Sequence, residues 1–322
     1  KNCFIFPGQG AQIVGMGKEI FDRFQVARDV FQNAKDILGW DVEKLCFEGP
    51  MEKLQETRIT QPAILTTSIA ILAVLDDWGV KPSVALGHSL GEFGALYAAG
   101  VFSQRDVLAL VAKRGELMAK AADERPGAML AILGAPDKIP EHVCDEVRGD
   151  GVLAVANYNS PVQVVISGES HLVEEAGKRI KEKGAKRIIP LAVSGAFHTA
   201  LMDGARAGFQ EILQSVTIET PKFPVISNVS AEPFTDVSQI RDLLPKQIIS
   251  PVRFTESLHR AAALGTTTFI EVGPGTVLSG LTKKTLPSAR VYSVQDAGTL
   301  RELLVNFSPR ENASKTAAGA ES

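Results

Sequence analysis

The chain has 322 residues, 45% of them hydrophobic and 22% charged, which is enough to bury the core of one large α/β domain or of two domains. Its formal net charge is −3 without a clustered basic excess, which argues against nucleic acid as a partner. The three widely spaced cysteines form no C-x-x-C pair, which argues against a disulfide framework or a zinc site, and the longest apolar run, IAILAVL at 69–75, is too short to span a membrane.

The first part of the chain alternates apolar strands with helices. The predicted strands are NCFIF (2–6) and SVALG (83–87), and the predicted helices are 15–38, 61–78 with Pro62 in its first turn, 92–100 and 103–120, the last beginning at the capping sequence SQRD. The second strand leads directly into GHSLGE (87–92). A strand, a tight turn carrying a serine and a helix of small residues are the surroundings that a nucleophile elbow requires.

Residues 127–193 follow a different order of elements. The prediction is a strand at 127–134, a helix at 137–147, strands at 152–157 and 162–168 joined by the turn YNSP, a helix at 170–184 and a strand at 187–193. This β-α-β-β-α-β order is that of a ferredoxin-like unit. We therefore predict a ferredoxin-like subdomain over 126–194, inserted in a large domain formed by 1–125 and 195–307.

After the insertion, strands and helices alternate again. Helices are predicted near 200–215, 251–264 and 276–285, and strands at 223–227, 267–273 and 290–294. This alternation predicts a mostly parallel sheet with helices on both faces. The polar, small-residue-rich end of the chain, 308–322, is predicted to be disordered.

Ser89 is the leading candidate nucleophile. An elbow holds the serine hydroxyl clear of the backbone at the carboxyl end of the strand, and it places the amide of the next residue beside a developing oxyanion. The alternative is a glycine-flanked turn with an incidental serine, since glycine makes up 28 of the 322 residues.

A nucleophilic serine needs a base, and the chain has five histidines. Three of them lie on predicted helices and are interpreted as solvated or structural: His142, His171 and His259. His88 adjoins Ser89 and should point away from it. His198 lies in VSGAFHTA, an irregular stretch after the last strand of the subdomain, and it is the best candidate by elimination.

Arg114 lies on the apolar side of a predicted helix. That side is marked by a stripe at helical spacing: Val107, Leu110, Val111, Leu117 and Met118. A buried guanidinium costs several kcal/mol unless an anion pairs with it. Arg114 therefore either grips a substrate carboxylate, or it snorkels to solvent or pairs with an internal Asp or Glu.

The glycine turn PGQGAQ (7–12) does not fit a dinucleotide-binding loop, because Ile13 stands where the third glycine of G-x-G-x-x-G should be. Its backbone amides could instead face an anion, as the second half of an oxyanion hole would. A tight turn without a ligand is equally compatible with these residues.

Six motifs in chain order resemble malonyl-CoA:acyl carrier protein transacylases and the related acyltransferase domains of fatty acid and polyketide synthases. They are FPGQGAQ (6–12), GHSLGE (87–92), KRGELM (113–118), NYNSP (157–161), AFHT (196–199) and SPVRF (250–254). The resemblance runs to about residue 300. It implies an α/β-hydrolase-like large domain with a ferredoxin-like subdomain, which agrees with the predicted order of elements.

The resemblance also implies a role for each matching residue. Ser89 would be the acylated nucleophile and His198 its base and acid, a pair that lacks the acidic third member of a triad. The backbone amides of Gln9 and Leu90 would form the oxyanion hole.

Three further residues would serve the substrate. Arg114 would bind the free carboxylate of the malonyl group. Gln247 would hold the histidine through its backbone carbonyl, beside the substrate. Phe197 would crowd an α-methyl branch and so favour malonyl.

The implied reaction transfers malonyl from malonyl-CoA to the phosphopantetheine thiol of acyl carrier protein through a malonyl-serine, for fatty acid synthesis. No metal and no cofactor besides the coenzyme A thioester is expected. The predicted state is a monomer in the cytoplasm, with the plastid stroma as the alternative. Other readings are an acyltransferase of a polyketide pathway, a serine esterase or thioesterase with Glu169 as its acid, and a non-catalytic domain that docks a carrier protein.

Overall fold

The computed structural model describes residues 1–307, so the predicted disordered end, 308–322, lies outside the described residues. Its strands form two separate sheets. The strands are β1 (Asn2–Phe6), β2 (Val84–Gly87), β3 (Ala128–Leu133), β4 (Leu153–Ser160), β5 (Gln163–Gly168), β6 (Arg187–Pro190), β7 (Val225–Ile226), β8 (Thr268–Val272) and β9 (Arg290–Val294).

The larger sheet has five strands in the order β7-β2-β1-β8-β9, and each neighbouring pair is parallel. Its helices are α1 (Lys18–Arg23), α2 (Gln25–Leu38), α3 (Val42–Glu48), α4 (Met51–Leu54), α5 (Thr57–Asp77), α6 (Gly91–Ala98), α7 (Gln104–Glu124), α10 (Asp203–Gln214), α11 (Val237–Gln247), α12 (Phe254–Ala263), α13 (Val277–Thr285) and α14 (Ala297–Phe307), and a short 3₁₀ turn, Ala200–Met202, precedes α10. The subdomain adds α8 (Ile139–Arg148) and α9 (Ser170–Glu182).

Helices cover both faces of the parallel sheet, because alternate side chains of β1 point into two different buried clusters. Phe4 and Phe6 point into one buried cluster with α2, α5 and α7, whereas Cys3 and Ile5 point into another with α12 and α13. This alternation follows from the two-residue period of a strand. The doubly covered sheet expected from the sequence is confirmed.

Two predicted helices differ from the structure. The helix predicted over 15–38 is interrupted at Phe24, whose extended backbone (φ −121°, ψ 123°) separates α1 from α2. Helix α5 begins at Thr57 rather than at 61, so Pro62 lies in its second turn, where the ring removes one backbone hydrogen bond. The apolar pattern does not reveal the break, because buried apolar side chains occur on both sides of it: Ile20 in α1, and Ala27, Val30 and Phe31 in α2.

Among residues 1–307, α5 is the one helix long and apolar enough in composition to cross a membrane. However, 83% of its most apolar 18-residue stretch is buried inside the protein. It packs against α2 and α7 in the core, so its apolarity is that of a central helix in the large domain.

The smaller sheet is antiparallel with the order β4-β5-β3-β6, and α8 and α9 pack against it. The chain order β-α-β-β-α-β predicted for a ferredoxin-like unit is confirmed. The predicted turn YNSP is wrong in part, because 158–160 continue strand β4 and only two residues, Pro161 and Val162, join it to β5. Main-chain bonds between β4 and Val252 tie the subdomain to the large domain.

Candidate active site

Ser89 lies between the carboxyl end of β2 and the start of α6, at the junction that the sequence predicts. Its φ of +53° is in the left-handed region, the strained backbone of a nucleophile elbow. The flanking glycines are required by close approach: a Cβ on Gly91 would lie 1.9 Å from the carbonyl oxygen of Phe6, and one on Gly87 would lie 1.9 Å from the carbonyl carbon of Gly91. The G-x-S-x-G spacing therefore has a steric origin here, and the serine hydroxyl is raised above its own strand.

His198 is the base candidate that the structure brings to Ser89. The Ser89 Oγ and His198 Nε2 atoms are 2.9 Å apart. On its other side, His198 Nδ1 is 2.8 Å from the carbonyl oxygen of Gln247, which fixes Nδ1 as the protonated nitrogen and leaves Nε2 free to accept. His142, His171 and His259 are exposed, and the ring of His88 turns to Asn159 Oδ1 at 2.7 Å.

Among residues 1–307, no Asp or Glu is hydrogen-bonded to His198, as the acid of an esterase triad would be. Glu169, the best acid for that reading in the sequence, accepts a hydrogen bond from the Val152 amide at 2.8 Å, at the start of α9. The partner of His198 Nδ1 is a backbone carbonyl, so the arrangement is a Ser–His pair.

Burial lowers the pKa of His198 to about 3, and the nearby positive charge of Arg114 acts in the same direction. The imidazole is therefore neutral at physiological pH, in the form that can take a proton from Ser89.

The lowered pKa of His198 also predicts how the free energy of unfolding depends on pH. Between the folded pKa of about 3 and an unfolded value of about 6.5, the unfolded chain binds a proton at this position and the folded chain does not. His198 therefore costs stability as the pH falls below about 6.5, by about 2 kcal/mol at about pH 5. Urea titrations of wild type and His198→Gln give the unfolding free energy of each protein. We expect the wild-type value minus the variant value to fall by about this amount between about pH 7.5 and about pH 5. A constant difference would contradict the prediction.

Arg114 is 1% exposed and lies on the inner side of α7, as its apolar stripe predicts. One terminal nitrogen, Nη2, donates to Ser89 Oγ at 3.0 Å and to Gln247 Oε1 at 2.8 Å, and Nη1 donates to Gln61 Oε1 at 2.6 Å. Burial lowers the pKa of Arg114 to about 10, so the group is still cationic at neutral pH.

No carboxylate forms an ion pair with Arg114 within residues 1–307, and its Nε has no hydrogen-bond partner there. Its partners are neutral amides and the nucleophile itself. Of the readings that the sequence left open, neither snorkelling nor a direct internal ion pair describes this arginine. A buried cation held by neutral groups beside a nucleophile is suited to a substrate anion.

Gln9 and Leu90 border the same cavity as Ser89. Gln9 follows β1 in the glycine turn, and Leu90 precedes the first turn of α6, where the helix dipole favours negative charge. Neither backbone amide donates a hydrogen bond to any group in the described part of the chain. Both amides are therefore available to an oxyanion beside the serine, and their role as its donors stays a prediction.

The cavity, of about 230 Å³, lies between the carboxyl ends of β1 and β2 and the face of the small sheet. Its walls come from both sheets, and the apolar side chains among them include Met118, Met129, Val165, Leu191, Val193, Phe197, Leu278 and Leu281. Phe197 is 8% exposed and lies next to His198, so its ring occupies part of the space beside the reacting atoms.

A model of the acyl transferase domain matches residues 3–317. The chain belongs to the acyl transferase domain family. The malonyl CoA-acyl carrier protein transacylase of Bacillus subtilis is 46% identical over 313 residues, which is 97% of this chain and 98% of that protein. These matches confirm the resemblance that the six motifs indicated.

Solved structures agree with this acyl transferase fold. An acyl carrier protein S-malonyltransferase from Vibrio cholerae has a TM-score of 0.91 at 41% identity, covering 94% of this chain and 99% of the other. A malonyl-transacylase in complex with a type II polyketide synthase acyl carrier protein has a TM-score of 0.92 at 40% identity, covering 95% and 99%.

The acyl transferase site also contains residues that sequence reasoning missed. Gln61, Glu92, Asn159 and Asn228 are polar, and all four are buried. The sequence holds two positional signals: Glu92 closes the GHSLGE motif, and Asn228 follows the strand predicted at 223–227. The structure places that strand beside the elbow strand. Asn159 lies in the predicted turn YNSP, whereas the structure has it in β4, where its side chain contacts His88.

Among residues 1–307 of this acyl transferase, no group of three or more His, Cys, Asp or Glu side chains is placed to hold a metal ion. The prediction that the protein uses no metal and no cofactor is not tested by this and stays a prediction.

Proposed function

We propose that this protein transfers a malonyl group from malonyl-CoA to the phosphopantetheine thiol of acyl carrier protein, through a malonyl ester on Ser89. The observation that carries the proposal is the position of Arg114, whose guanidinium is 3.0 Å from Ser89 Oγ in a buried site without a carboxylate partner among residues 1–307. The carboxylate of a malonyl group is separated from its thioester carbonyl by a single methylene. A cation next to the nucleophile is therefore in position to bind the malonyl carboxylate. An acetyl group has no carboxylate for Arg114 to bind.

In the first half-reaction, His198 Nε2 takes the hydroxyl proton as Ser89 Oγ attacks the thioester carbonyl. The amides of Gln9 and Leu90 stabilise the tetrahedral oxyanion, and each such donor is typically worth about 10²–10³ in rate. When the intermediate collapses, the carbon–sulfur bond breaks, and coenzyme A leaves with the proton returned by His198.

In the second half-reaction, the carrier thiol gives its proton to His198 and attacks the malonyl ester, and Ser89 leaves as the alcohol. Arg114 keeps the carboxylate in place through both steps, and so the ester carbonyl stays oriented toward the same oxyanion donors. The route needs no metal or redox cofactor. The apolar walls of the cavity limit the access of water to the ester.

A two-stage mass measurement tests the proposal. We expect malonyl-CoA to add one malonyl group to the intact protein, and we expect carrier protein bearing phosphopantetheine to remove it much faster than buffer alone. Removal by buffer at the same rate would favour an esterase. No adduct at all would contradict the proposed intermediate.

Fatty acid synthesis is the pathway that we propose, and a polyketide pathway is the second candidate. The second is favoured by a specific observation, since a structure with a TM-score of 0.92 is a malonyl-transacylase bound to a type II polyketide synthase carrier protein. The same chase with a carrier protein of each type separates the two by rate. The monomeric state and the cytoplasm, with the plastid stroma as alternative, stay predictions.

A further inference from the structure

Glu92 is a buried carboxylate directly behind the proposed nucleophile. It lies in the first turn of α6 and is 1% exposed. Oε1 accepts a hydrogen bond from the Asn228 amide at 2.7 Å, and Oε2 accepts one from Gln247 Nε2 at 2.5 Å. Burial raises the pKa of Glu92 to about 7, and the two donors and the charge of Arg114 act in the opposite direction.

Asn228, the first partner of Glu92, holds the elbow. Its Oδ1 accepts from the Ser89 amide at 2.7 Å, and its Nδ2 donates to the Gly87 carbonyl at 2.7 Å. The asparagine therefore binds the backbone on both sides of His88, at the point where Ser89 adopts its strained conformation.

Gln247, the second partner of Glu92, contacts Ser89, Arg114 and His198. Its Nε2 also donates to the Ser89 carbonyl at 2.9 Å, its Oε1 accepts from Arg114 at 2.8 Å, and its backbone carbonyl accepts from His198 at 2.8 Å. Both oxygens of Glu92 accept from N–H donors, and a guanidinium only donates hydrogen bonds. The amide nitrogen of Gln247 therefore faces Glu92, and its amide oxygen faces Arg114.

We propose that Glu92 is a positioning residue for acyl transfer: through Gln247 it orients the Arg114 guanidinium and supports His198, and through Asn228 it holds the Ser89 elbow. The inference rests on the proposed malonyl transfer. Glu92 does not touch substrate in this scheme. It fixes which edge of the Gln247 amide meets the arginine that binds the substrate carboxylate.

The competing explanation is a purely structural acid that satisfies donors in the interior. Such a residue would change the amount of folded enzyme, and malonyl and acetyl transfer would fall together. A positioning residue acting through Arg114 would instead change the preference for malonyl over acetyl and raise the KM for malonyl-CoA.

Glu92→Gln separates the two explanations, because it preserves shape and replaces one oxygen with an NH₂ group. That group must face either the Asn228 amide or Gln247 Nε2, and in both cases a donor meets a donor. Turning Gln247 relieves the conflict but presents its NH₂ to Arg114. We expect the ratio of malonyl to acetyl kcat/KM to fall about tenfold or more, mainly through the KM for malonyl-CoA.

Glu271→Gln is the matched control. Glu271 is a fully buried carboxylate in the same domain, and it accepts hydrogen bonds from the amides of Leu278 and Ser279 at 3.1 and 2.7 Å. It has no contact with the polar network of Glu92 among the described residues. We expect this variant to lose stability while the malonyl-to-acetyl ratio stays unchanged.

Gln247→Met keeps the experiment decisive if Glu92→Gln does not fold, because it removes the amide and retains the backbone carbonyl. It should show the same loss of ratio. An unchanged ratio in the folded variants, or an equal loss for both substrates with unchanged KM, would overturn the inference. Wild-type enzyme that forms no malonyl adduct would instead overturn the proposed function, so the two failures are distinguishable.

Discussion

Arg114→Ala is expected to lower kcat/KM for malonyl transfer by about 10- to 100-fold while acetyl transfer stays at or above the wild-type rate. A hydrogen bond to a charged group is worth about 1.5–3 kcal/mol, and about 1.4 kcal/mol corresponds to a factor of ten. The malonyl carboxylate would lose this contact and remain in a dry site. Acetyl has no carboxylate to lose. Removing the buried cation next to Ser89 and His198 also relieves the part of the lowering of the His198 pKa that Arg114 causes, while the larger part, which is due to burial, remains.

The measurement is the rate of adduct formation on the intact protein with each acyl-CoA, normalised to folded enzyme. Arg241→Ala is the matched control: Arg241 lies on α11 and donates to the carbonyls of Leu213 and Val216 at 2.6 and 2.9 Å, away from the cavity. It should leave the substrate preference unchanged. Arg114→Lys should be intermediate, since it retains charge but not the planar fork. Equal losses for malonyl and acetyl in Arg114→Ala would contradict the carboxylate role.

The sequence predicts those parts of the fold and of the site that depend on a local pattern of residues. The G-x-S-x-G spacing predicts an elbow because only glycine tolerates the backbone contacts on either side of Ser89, and the structure has those contacts. Helical periodicity placed Arg114 in the interior, where it is 1% exposed. The order of strands and helices along the subdomain likewise follows from local alternation and is confirmed.

What the sequence did not predict depends on contacts between distant segments. The hydrogen bonds of Glu92 join it to residues 136 and 155 positions away, and no local period encodes such a pairing. Asn228 follows a strand of only two residues, too short to show an alternation. Helices α3 and α4 have only seven and four residues. Helices this short form because they pack against the rest of the large domain, more than because of their own helix propensity.

His198 is an intermediate case. Elimination among five histidines selected it, but no pattern in VSGAFHTA encodes its distance to Ser89. In the structure, His198 itself has a left-handed backbone conformation with φ +60°, and its imidazole contacts Ser89. The Gln247 carbonyl holds the other side of the ring. The role of Gln247 in holding the histidine came from the family resemblance, and the 2.8 Å contact is consistent with it.

Ser89→Ala is expected to abolish the malonyl adduct and acyl transfer. Alanine retains the Cβ, so the strain of φ +53° is the same in both proteins and the change removes only the hydroxyl. Without Oγ no other oxygen is held both at 2.9 Å from His198 Nε2 and at 3.0 Å from Arg114 in the described structure. Binding of malonyl-CoA should persist, because Arg114 keeps its charge and loses a competing partner.

Intact-protein mass spectrometry after mixing with malonyl-CoA measures the adduct, and calorimetry measures the binding. Ser83→Ala is the matched control, since Ser83 lies just before β2 and its hydroxyl donates to the carbonyl of Asn2 at 3.1 Å. That variant should form the adduct at the wild-type rate. An adduct that survives Ser89→Ala would place the nucleophile elsewhere. Loss of both adduct and binding would instead mean that the hydroxyl supports the substrate site itself, since covalent attack alone cannot account for lost affinity.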